Sequence, residues 1–394
     1  MEFVAEAAAL LPDLQKLRRE LHRDPEVGLD LPRTQKRVLD ALDGLDLEIT
    51  LGEKTTSVVG VLRGGRPGPT VLLRGDMDAL PIQEETDLEF ASTNGAMHAC
   101  GHDLHTAGLV GAARLLAAHR DELPGSVIFM FQPGEEGCNG ASVMIEEGVL
   151  DAADDRPVAA YGIHVAPGQF GVFGTRAGTL CAGANVLSVT VHGKGGHGSM
   201  PWTAVDPVPA LAEIVTALNA MTTRTFDVFD PVVLSVTQLD ASTAVNIIPA
   251  SARLRATVRT LSRASVDKMI ERTRAVAEGI AAAHGCTADV IFEVQYPVTV
   301  NDAAEADNAI ATVRDLLGDE RMLVMPQPGM ASEDFSFVLE QVPGAFIMLQ
   351  CSSPGTDLST AAFNHSPTVL FDDAVLGDQS AALAALAWER LGTK

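Results

Sequence analysis

The chain has 394 residues, 46% of them hydrophobic and 20% charged, which is the composition of a soluble globular protein rather than a disordered one. This length exceeds one ordinary core and predicts two or three domains. The formal net charge of −24 comes without a basic patch, which argues against nucleic acid or an anionic membrane as a partner.

Membrane insertion and secretion are also disfavoured by the sequence. No stretch approaches the roughly 20 apolar residues that span a bilayer. The N-terminal sequence MEFVAEAAALL lacks the basic start and uninterrupted apolar core of a signal peptide. The five cysteines are scattered and odd in number, so we do not expect a disulfide framework. We therefore expect a protein of the reducing cytoplasm.

Helix and strand alternate through the first part of the chain. The predicted helices lie at about 5–23, 33–43, 104–120 and 140–148, and the predicted strands at 57–63, 70–76, 126–133 and 158–164. Such alternation is typical of an α/β domain with a largely parallel sheet and helices on both faces.

The pattern changes after about residue 182. Strands and helices then follow in the order β-α-β-β-α-β, which predicts a self-contained ferredoxin-like α+β domain over 183–294. From 295 the alternation of helix and strand resumes and ends with a helix over about 372–391. The sequence therefore predicts one discontinuous α/β domain, 1–182 and 295–394, interrupted by the smaller domain.

Polar clusters follow the predicted strands of the α/β domain, where sites form in open sheets. They are RGDMDALP, QPGEEG and the histidine of YGIH, joined by HACGHDLH and FNHSP. A thiolate, imidazoles and carboxylates are the ligands of a zinc-like ion, and so rich a set could hold two ions. In two-metal hydrolases the ions share an activated water and polarise the scissile carbonyl.

Two adjacent glutamates, Glu135 and Glu136, lie in the QPGEEG loop. Consecutive side chains of an extended loop diverge, so one carboxylate can bind metal while the other holds water. The alternative is a solvated acidic turn. Because Pro133, Gly134 and Gly137 shape a tight loop directly after an apolar strand, we favour the functional interpretation.

Together these motifs resemble the M20 metallopeptidase and aminoacylase family, in particular its amidohydrolase branch, which hydrolyses N-acyl amino acids. The motifs that carry the resemblance occur in the family's order along nearly the whole chain: LHRDPEVG, RGDMDALPIQE, HACGHDLHTAGLVGAA, QPGEEG, GIHVAPG, GKGGHGSMPWTAVDP, NIIP, VRTL, SEDFSFVLEQVPG and FNHSP. The resemblance implies a catalytic domain with an inserted ferredoxin-like lid through which subunits dimerise.

The resemblance also implies roles for particular residues. Two divalent ions, of zinc, manganese, cobalt or nickel, would be held by Cys100, His102, Glu136, His164 and His365. Glu135 would be the general base for the water that the ions activate. We expect Asp76 to support the ligands from behind, whereas Asp103 and His105 either orient ligands or cap and pack the following helix.

One position departs from the broader family, which has a histidine where this chain has Arg74. Arginine stays protonated and cannot donate a lone pair to a metal. The departure is typical of the amidohydrolase branch, but it leaves the roles of Asp76 and Asp78 open.

In the lid, GKGGHGSMP contains the G-x-G-x-x-G spacing of a dinucleotide fingerprint, which requires a helix to begin at the glycines. Because the next helix is predicted to start only at Asp206 and Pro207, we disfavour nucleotide binding. By resemblance, His197 stabilises the oxyanion, often in the partner subunit. Asn246 and Arg259 would hold a substrate carboxylate, although Arg259 could instead be a surface charge.

The expected function is hydrolysis of a small N-acyl amino acid to a carboxylic acid and a free amino acid, by a homodimer or possibly a homotetramer. A dipeptidase or carboxypeptidase with the same site is the nearest alternative. A thiol amidase with Cys100 as nucleophile and a non-catalytic binding protein on this fold are the other hypotheses.

Overall fold

The computed structural model describes residues 2–392, and these divide into two compact units. The first unit comprises the described part of 1–180, 300–327 and 334–394, and the second comprises 181–299 and 328–333. The helices are α1 Phe3–Arg23, α2 Pro32–Leu42, α3 His102–Ala118, α4 Gly140–Glu146, α5 Pro207–Thr225, α6 Arg263–Ala283, α7 Ala303–Leu317, α8 Ser336–Leu339 and α9 Leu376–Gly392.

The strands are numbered in the same way. They are β1 Glu48–Leu51, β2 Val58–Arg63, β3 Arg66–Asp76, β4 Pro124–Gln132, β5 Ala159–Ala166, β6 Phe173–Thr175, β7 Gly178–Cys181, β8 Gly183–His192, β9 Gly196–His197, β10 Val233–Asp240, β11 Ile247–Ile248, β12 Ser251–Thr260, β13 Thr287–Tyr296, β14 Thr299–Asn301, β15 Met322–Val324 and β16 Gly344–Gln350.

The first unit is built on an eight-stranded sheet in the order β1-β2-β4-β3-β5-β16-β6-β15. The four central strands β4, β3, β5 and β16 are parallel to one another, whereas β1, β2 and β6 join through antiparallel pairs. The predicted α/β class with a largely parallel sheet is therefore confirmed. The central strands are continuous apolar runs because parallel strands are buried on both faces.

Strand register brings the polar clusters of the sequence to one edge of this sheet. Asp76, the last residue of β3, pairs with Gln132 at the end of β4, and Arg74 pairs with Gly162 of β5. The chain segments that leave β3, β4 and β5 therefore start side by side. Helix α3 packs on α1, α9 and the sheet, so its first turn lies within a fully packed core.

The second unit is a ferredoxin-like fold, with an antiparallel sheet in the order β10-β12-β8-β13 and two helices, α5 and α6. Leu187, Val189 and Val191 of β8 belong to its own apolar core. Asp206 caps α5 by accepting a hydrogen bond from the Val208 N–H, and Pro207 is the first helical residue. The G-x-G-x-x-G glycines therefore do not open a helix, as the dinucleotide fingerprint would require.

Among residues 2–392, no helix combines the length and the apolar character that crossing a membrane needs.

Candidate metal centre

Cys100 and His102 lie at the start of α3, and His102 is its first residue, two positions before the predicted start. Gly101 between them has a left-handed φ of 84°. A Cβ on Gly101 would stand 2.3 Å from the Cγ2 of Val165, so only glycine fits this backbone between the two side chains. The glycine thus allows Cys100 and His102 to approach β5.

His164 approaches Cys100 from β5. Its Nε2 lies 3.4 Å from the Cys100 Sγ, and its Nδ1 lies 2.8 Å from the backbone oxygen of Val165. A carbonyl oxygen can only accept, so Nδ1 carries a proton, and Nε2 is the nitrogen that can bind a metal when the ring is neutral. This tautomer suits a metal ligand.

The two glutamates of the QPGEEG loop are fixed through their backbone. The N–H groups of Glu135 and Glu136 donate to the two carboxylate oxygens of Asp78, each at 3.0 Å. Asp78, whose role the sequence left open, therefore orients the loop. The side chain of Glu136 meets His365, with 3.0 Å between Oε1 and Nε2.

The predicted ligands form overlapping groups of donor atoms, each group within 4.8 Å. The groups in which these residues meet are Cys100, His102 and His164; Cys100, Glu136 and His365; and His102, Glu135 and Glu136. Cys100 belongs to two of the groups, a placement suited to a thiolate shared between two ions.

His102 provides the test of whether these residues fit a metal. Both of its ring nitrogens are buried and, within residues 2–392, lack a hydrogen bond of good geometry; Nε2 lies 3.4 Å from an Asp76 carboxylate oxygen and Nδ1 lies 3.4 Å from one of Asp78. Buried polar groups normally form good hydrogen bonds, so an imidazole with only these loose contacts, among a thiolate and carboxylates, fits a site for a cation. The set of sulfur, nitrogen and oxygen donors suits a borderline divalent ion such as zinc.

The neighbouring imidazoles favour the thiolate form of Cys100. Burial alone would raise the pKa of the Cys100 thiol, but His164, His102 and His365 together hold that pKa well below its usual range. Hydrogen bonds to Cys100 and Glu136 in turn raise the pKa of His365 to about 10. The thiolate is the form that binds metal.

Asp76 and His105 lie directly behind the ligands. His105 Nδ1 is 2.5 Å from Asp76 Oδ1, and its Nε2 accepts the Val165 N–H at 2.8 Å. Arg74, at the position of the family's histidine, forms a buried ion pair with Asp76 at 2.8 Å and bonds Gln132. Arg74 therefore acts in packing and charge balance, not as a ligand.

Asp103, the residue after His102 in α3, has different partners from His102. Its Oδ2 lies 2.6 Å from Arg18 Nε and 2.8 Å from His22 Nδ1, and all three side chains are buried. The other ring nitrogen of His22 meets Glu84 at 3.1 Å. Of the two roles that the sequence left open for Asp103, these contacts favour packing of the helix start.

Three predicted residues lie in the second unit. β9 pairs with β11, with His197 opposite Ile247, and the Asn246 carbonyl accepts the Gly198 N–H at 2.8 Å, so His197 and Asn246 are neighbours. The ring of His197 is exposed. Arg259 lies on β12, where it donates to Thr257 of the same strand and where partial burial lowers its pKa.

Asn364 is a site residue that the sequence reasoning did not single out. Its side-chain amide nitrogen lies 3.3 Å from the Cys100 carbonyl oxygen and 3.2 Å from that of Val165. It lies in the FNHSP motif, directly before the predicted ligand His365. A polar residue beside an expected ligand was the available signal.

Comparison with known proteins defines the chain further. Residues 72–389 match Peptidase family M20/M25/M40. Thermostable carboxypeptidase 2 of Saccharolobus solfataricus is 38% identical over 94% of both chains. N-acetylcysteine deacetylase of Bacillus subtilis is 36% identical over 95% of this chain and 96% of its own. The crystal structure of the Bacillus subtilis YXEP protein is described as that of a dinuclear metal binding peptidase. It matches with a TM-score of 0.84 and 32% identity over 98% of this chain and 100% of its own.

Fold, site and relatives define a hydrolase that acts on amide bonds. The chain belongs to Peptidase family M20/M25/M40, and the predicted membership is confirmed.

Proposed function

We propose that the protein hydrolyses N-acyl amino acids to a carboxylic acid and a free amino acid, with two divalent ions held by the five predicted ligands. The observation that carries the proposal is the overlap of donor groups on Cys100 and His102, directly beside Glu135. A likeness to a deacetylase of N-acetylcysteine supports the choice of acyl amino acids.

The chemistry divides between the ions and the protein. Bound divalent ions lower the pKa of water and polarise an amide carbonyl. The buried carboxylate of Glu135 is the group that accepts the proton from the attacking water and delivers it to the departing amine. Because Asp78 fixes the Glu135 backbone, the carboxylate needs little reorganisation between these two transfers.

The second unit supplies the groups that recognise the substrate in this proposal. His197, exposed and next to Asn246, stabilises the oxyanion, and Asn246 and Arg259 hold the carboxylate of the amino acid. An exposed His197 also suits action on the site of a partner subunit, so we propose a homodimer, which could assemble further into a tetramer.

The proposed location is the cytoplasm. All five cysteines are free thiols, and a metal-binding Cys100 must stay reduced. The identity of the ions in the cell, zinc, manganese, cobalt or nickel, is a matter for metal analysis of the purified protein.

A substrate panel tests the proposed reaction. N-acetyl and N-benzoyl amino acids, dipeptides and N-blocked peptides would be compared by kcat/KM for released amine. The proposal predicts the highest values for acyl amino acids. A preference for dipeptides or for the C-terminal bond of longer peptides would overturn it in favour of the peptidase alternative, which the similar carboxypeptidase keeps open.

The proposed carboxylate site has its own test. N-benzoylglycine and N-benzoylglycinamide carry the same scissile bond but differ in the terminal carboxylate. The wild type should prefer the acid, and Arg259→Met should lose that preference mainly through KM. Arg263→Met, a substitution in the same unit at the start of α6, is the control that should keep it.

A further inference from the structure

The backbone of Val165, the residue that follows the ligand His164, is held from both sides. Its N–H donates to His105 Nε2 at 2.8 Å. Its carbonyl oxygen accepts from His164 Nδ1 at 2.8 Å and from the Asn364 side-chain amide at 3.2 Å. Its side chain fills the space left by the missing Cβ of Gly101.

The direction of each hydrogen bond follows from groups that can play only one role. A backbone N–H only donates, so His105 Nε2 is the acceptor and the His105 proton is on Nδ1, facing Asp76. A backbone carbonyl only accepts, so His164 donates from Nδ1, which leaves Nε2 as the nitrogen that can offer a lone pair to a metal. A chain of hydrogen bonds thus runs from Asp76 through His105 and Val165 to His164.

Asn364 connects this chain to Cys100. Its amide nitrogen also lies 3.3 Å from the Cys100 carbonyl oxygen and 3.6 Å from its Sγ. One amide therefore fixes the distance between the Cys100 backbone and the Val165 carbonyl that orients His164.

We propose that His105 and Asn364 are positioning residues that set the orientation of His164 through the backbone of Val165. Neither acts as a ligand: both ring nitrogens of His105 are already engaged, and the Asn364 nitrogen has no lone pair to offer. The inference rests on the proposed two-ion site.

The arrangement makes the expected effect selective. Of the three donor groups named above, His164 belongs to the one with Cys100 and His102, whereas Glu136 and His365 lie in the other two. Weakening the hold on Val165 should therefore weaken the binding of one ion more than that of the other.

The test uses Co²⁺ added to metal-free protein, measured by calorimetry and by the thiolate-to-cobalt absorption band. His105→Asn keeps a donor toward Asp76 but cannot reach the Val165 N–H. His105→Gln places an acceptor near the former Nε2. Asn364→Leu, in a loop outside the helices and strands, removes the side-chain hydrogen bonds to the Val165 and Cys100 carbonyl oxygens. His119→Asn, at the far end of α3, is the matched control.

We expect His105→Asn and Asn364→Leu to weaken one of two Co²⁺-binding steps about 10- to 100-fold and to alter the absorption band. His105→Gln and His119→Asn should stay close to wild type. Unchanged Co²⁺ affinity in His105→Asn and Asn364→Leu would overturn the inference. Equal losses of Co²⁺ affinity in His105→Asn and His105→Gln would overturn it too. Urea unfolding of the metal-free proteins separates loss of stability from loss of orientation. Wild-type protein that binds no Co²⁺ would overturn the proposed function itself.

Discussion

His105 Nδ1 lies 2.5 Å from Asp76 Oδ1, while Nε2 of the same ring accepts the Val165 N–H. Both nitrogens are thus engaged in short hydrogen bonds, in contrast to those of His102 three residues earlier, which are buried 3.4 Å from carboxylate oxygens of Asp76 and Asp78 without a hydrogen bond of good geometry. Burial lowers the pKa of His105 to about 4 despite the adjacent carboxylate, so the ring is neutral. Two histidines of one motif therefore have different chemistry.

The adjacent glutamates should separate into a catalytic and a ligand role. Glu135→Gln removes the proton acceptor but keeps the backbone bond to Asp78, so kcat should fall about 10²- to 10⁴-fold with the metal content unchanged. Glu136→Gln is the matched comparison and should lower metal affinity instead. Metal analysis and steady-state kinetics on both variants check this. Normal turnover in Glu135→Gln would exclude it as the base.

Removal of metal should abolish activity, and divalent ions should restore it. Cys100→Ser should lower metal content and kcat together, because Cys100 belongs to two donor groups. Cys138→Ser is the control, since Cys138 is a free thiol two residues beyond Glu136. Full activity in protein freed of metal by exhaustive dialysis against chelator would favour the thiol amidase instead.

His98 should make the protein sensitive to acid. Its ring nitrogens are buried and, among the residues described, have no hydrogen-bond partner, and burial lowers the pKa of His98 to about 3. In the unfolded chain His98 takes up a proton near pH 6.5, whereas in the folded protein its ring stays neutral. The free energy of unfolding is therefore unaffected by protonation of His98 above pH 6.5 and decreases as the pH falls from 6.5 toward 3.

The measurement is urea unfolding of metal-free wild type and His98→Leu at pH 7.5 and pH 5. The free energy of unfolding of the wild type should decrease by about 2 kcal/mol more than that of the variant between these pH values. Identical pH dependence of the two proteins would show that His98 is not held neutral.

Gly101→Ala should disturb the metal centre more than an alanine at a comparable glycine. Gly95 has a similar φ of 87°, but a Cβ there would meet no atom within 4 Å. Both substitutions should lower the free energy of unfolding by about 1 kcal/mol, because alanine is strained in the left-handed backbone conformation. Gly101→Ala adds the contact with Val165, about 1–3 kcal/mol.

Urea unfolding and Co²⁺ titration of the two alanine variants measure this difference. Only Gly101→Ala should also reduce Co²⁺ affinity. Equal stability and equal affinity would contradict the packing that we describe around Val165.

The sequence predicted the α/β class and the strands that lead to the site, because the spacing of apolar residues and the composition of each segment are local properties of the chain. It could not assign His105, since the partners of that ring are Asp76, 29 residues away, and Val165, 60 residues away. Those contacts exist only because β3 and β5 are neighbours in the sheet. The antiparallel flank of the sheet is likewise a matter of strand order, which apolar runs do not encode.

The order of strands has a consequence for the synthesis of the chain. β16 lies between β5 and β6, although about 180 residues separate the end of β5 from the end of β16. At roughly 5–20 residues per second, the ribosome needs about 10 to 40 s to produce that stretch. Through this time the backbone groups of β5 have no partner on that side, and an unpaired apolar edge favours aggregation. We therefore expect the β5 edge to remain open to pairing with other chains until β16 has been synthesised.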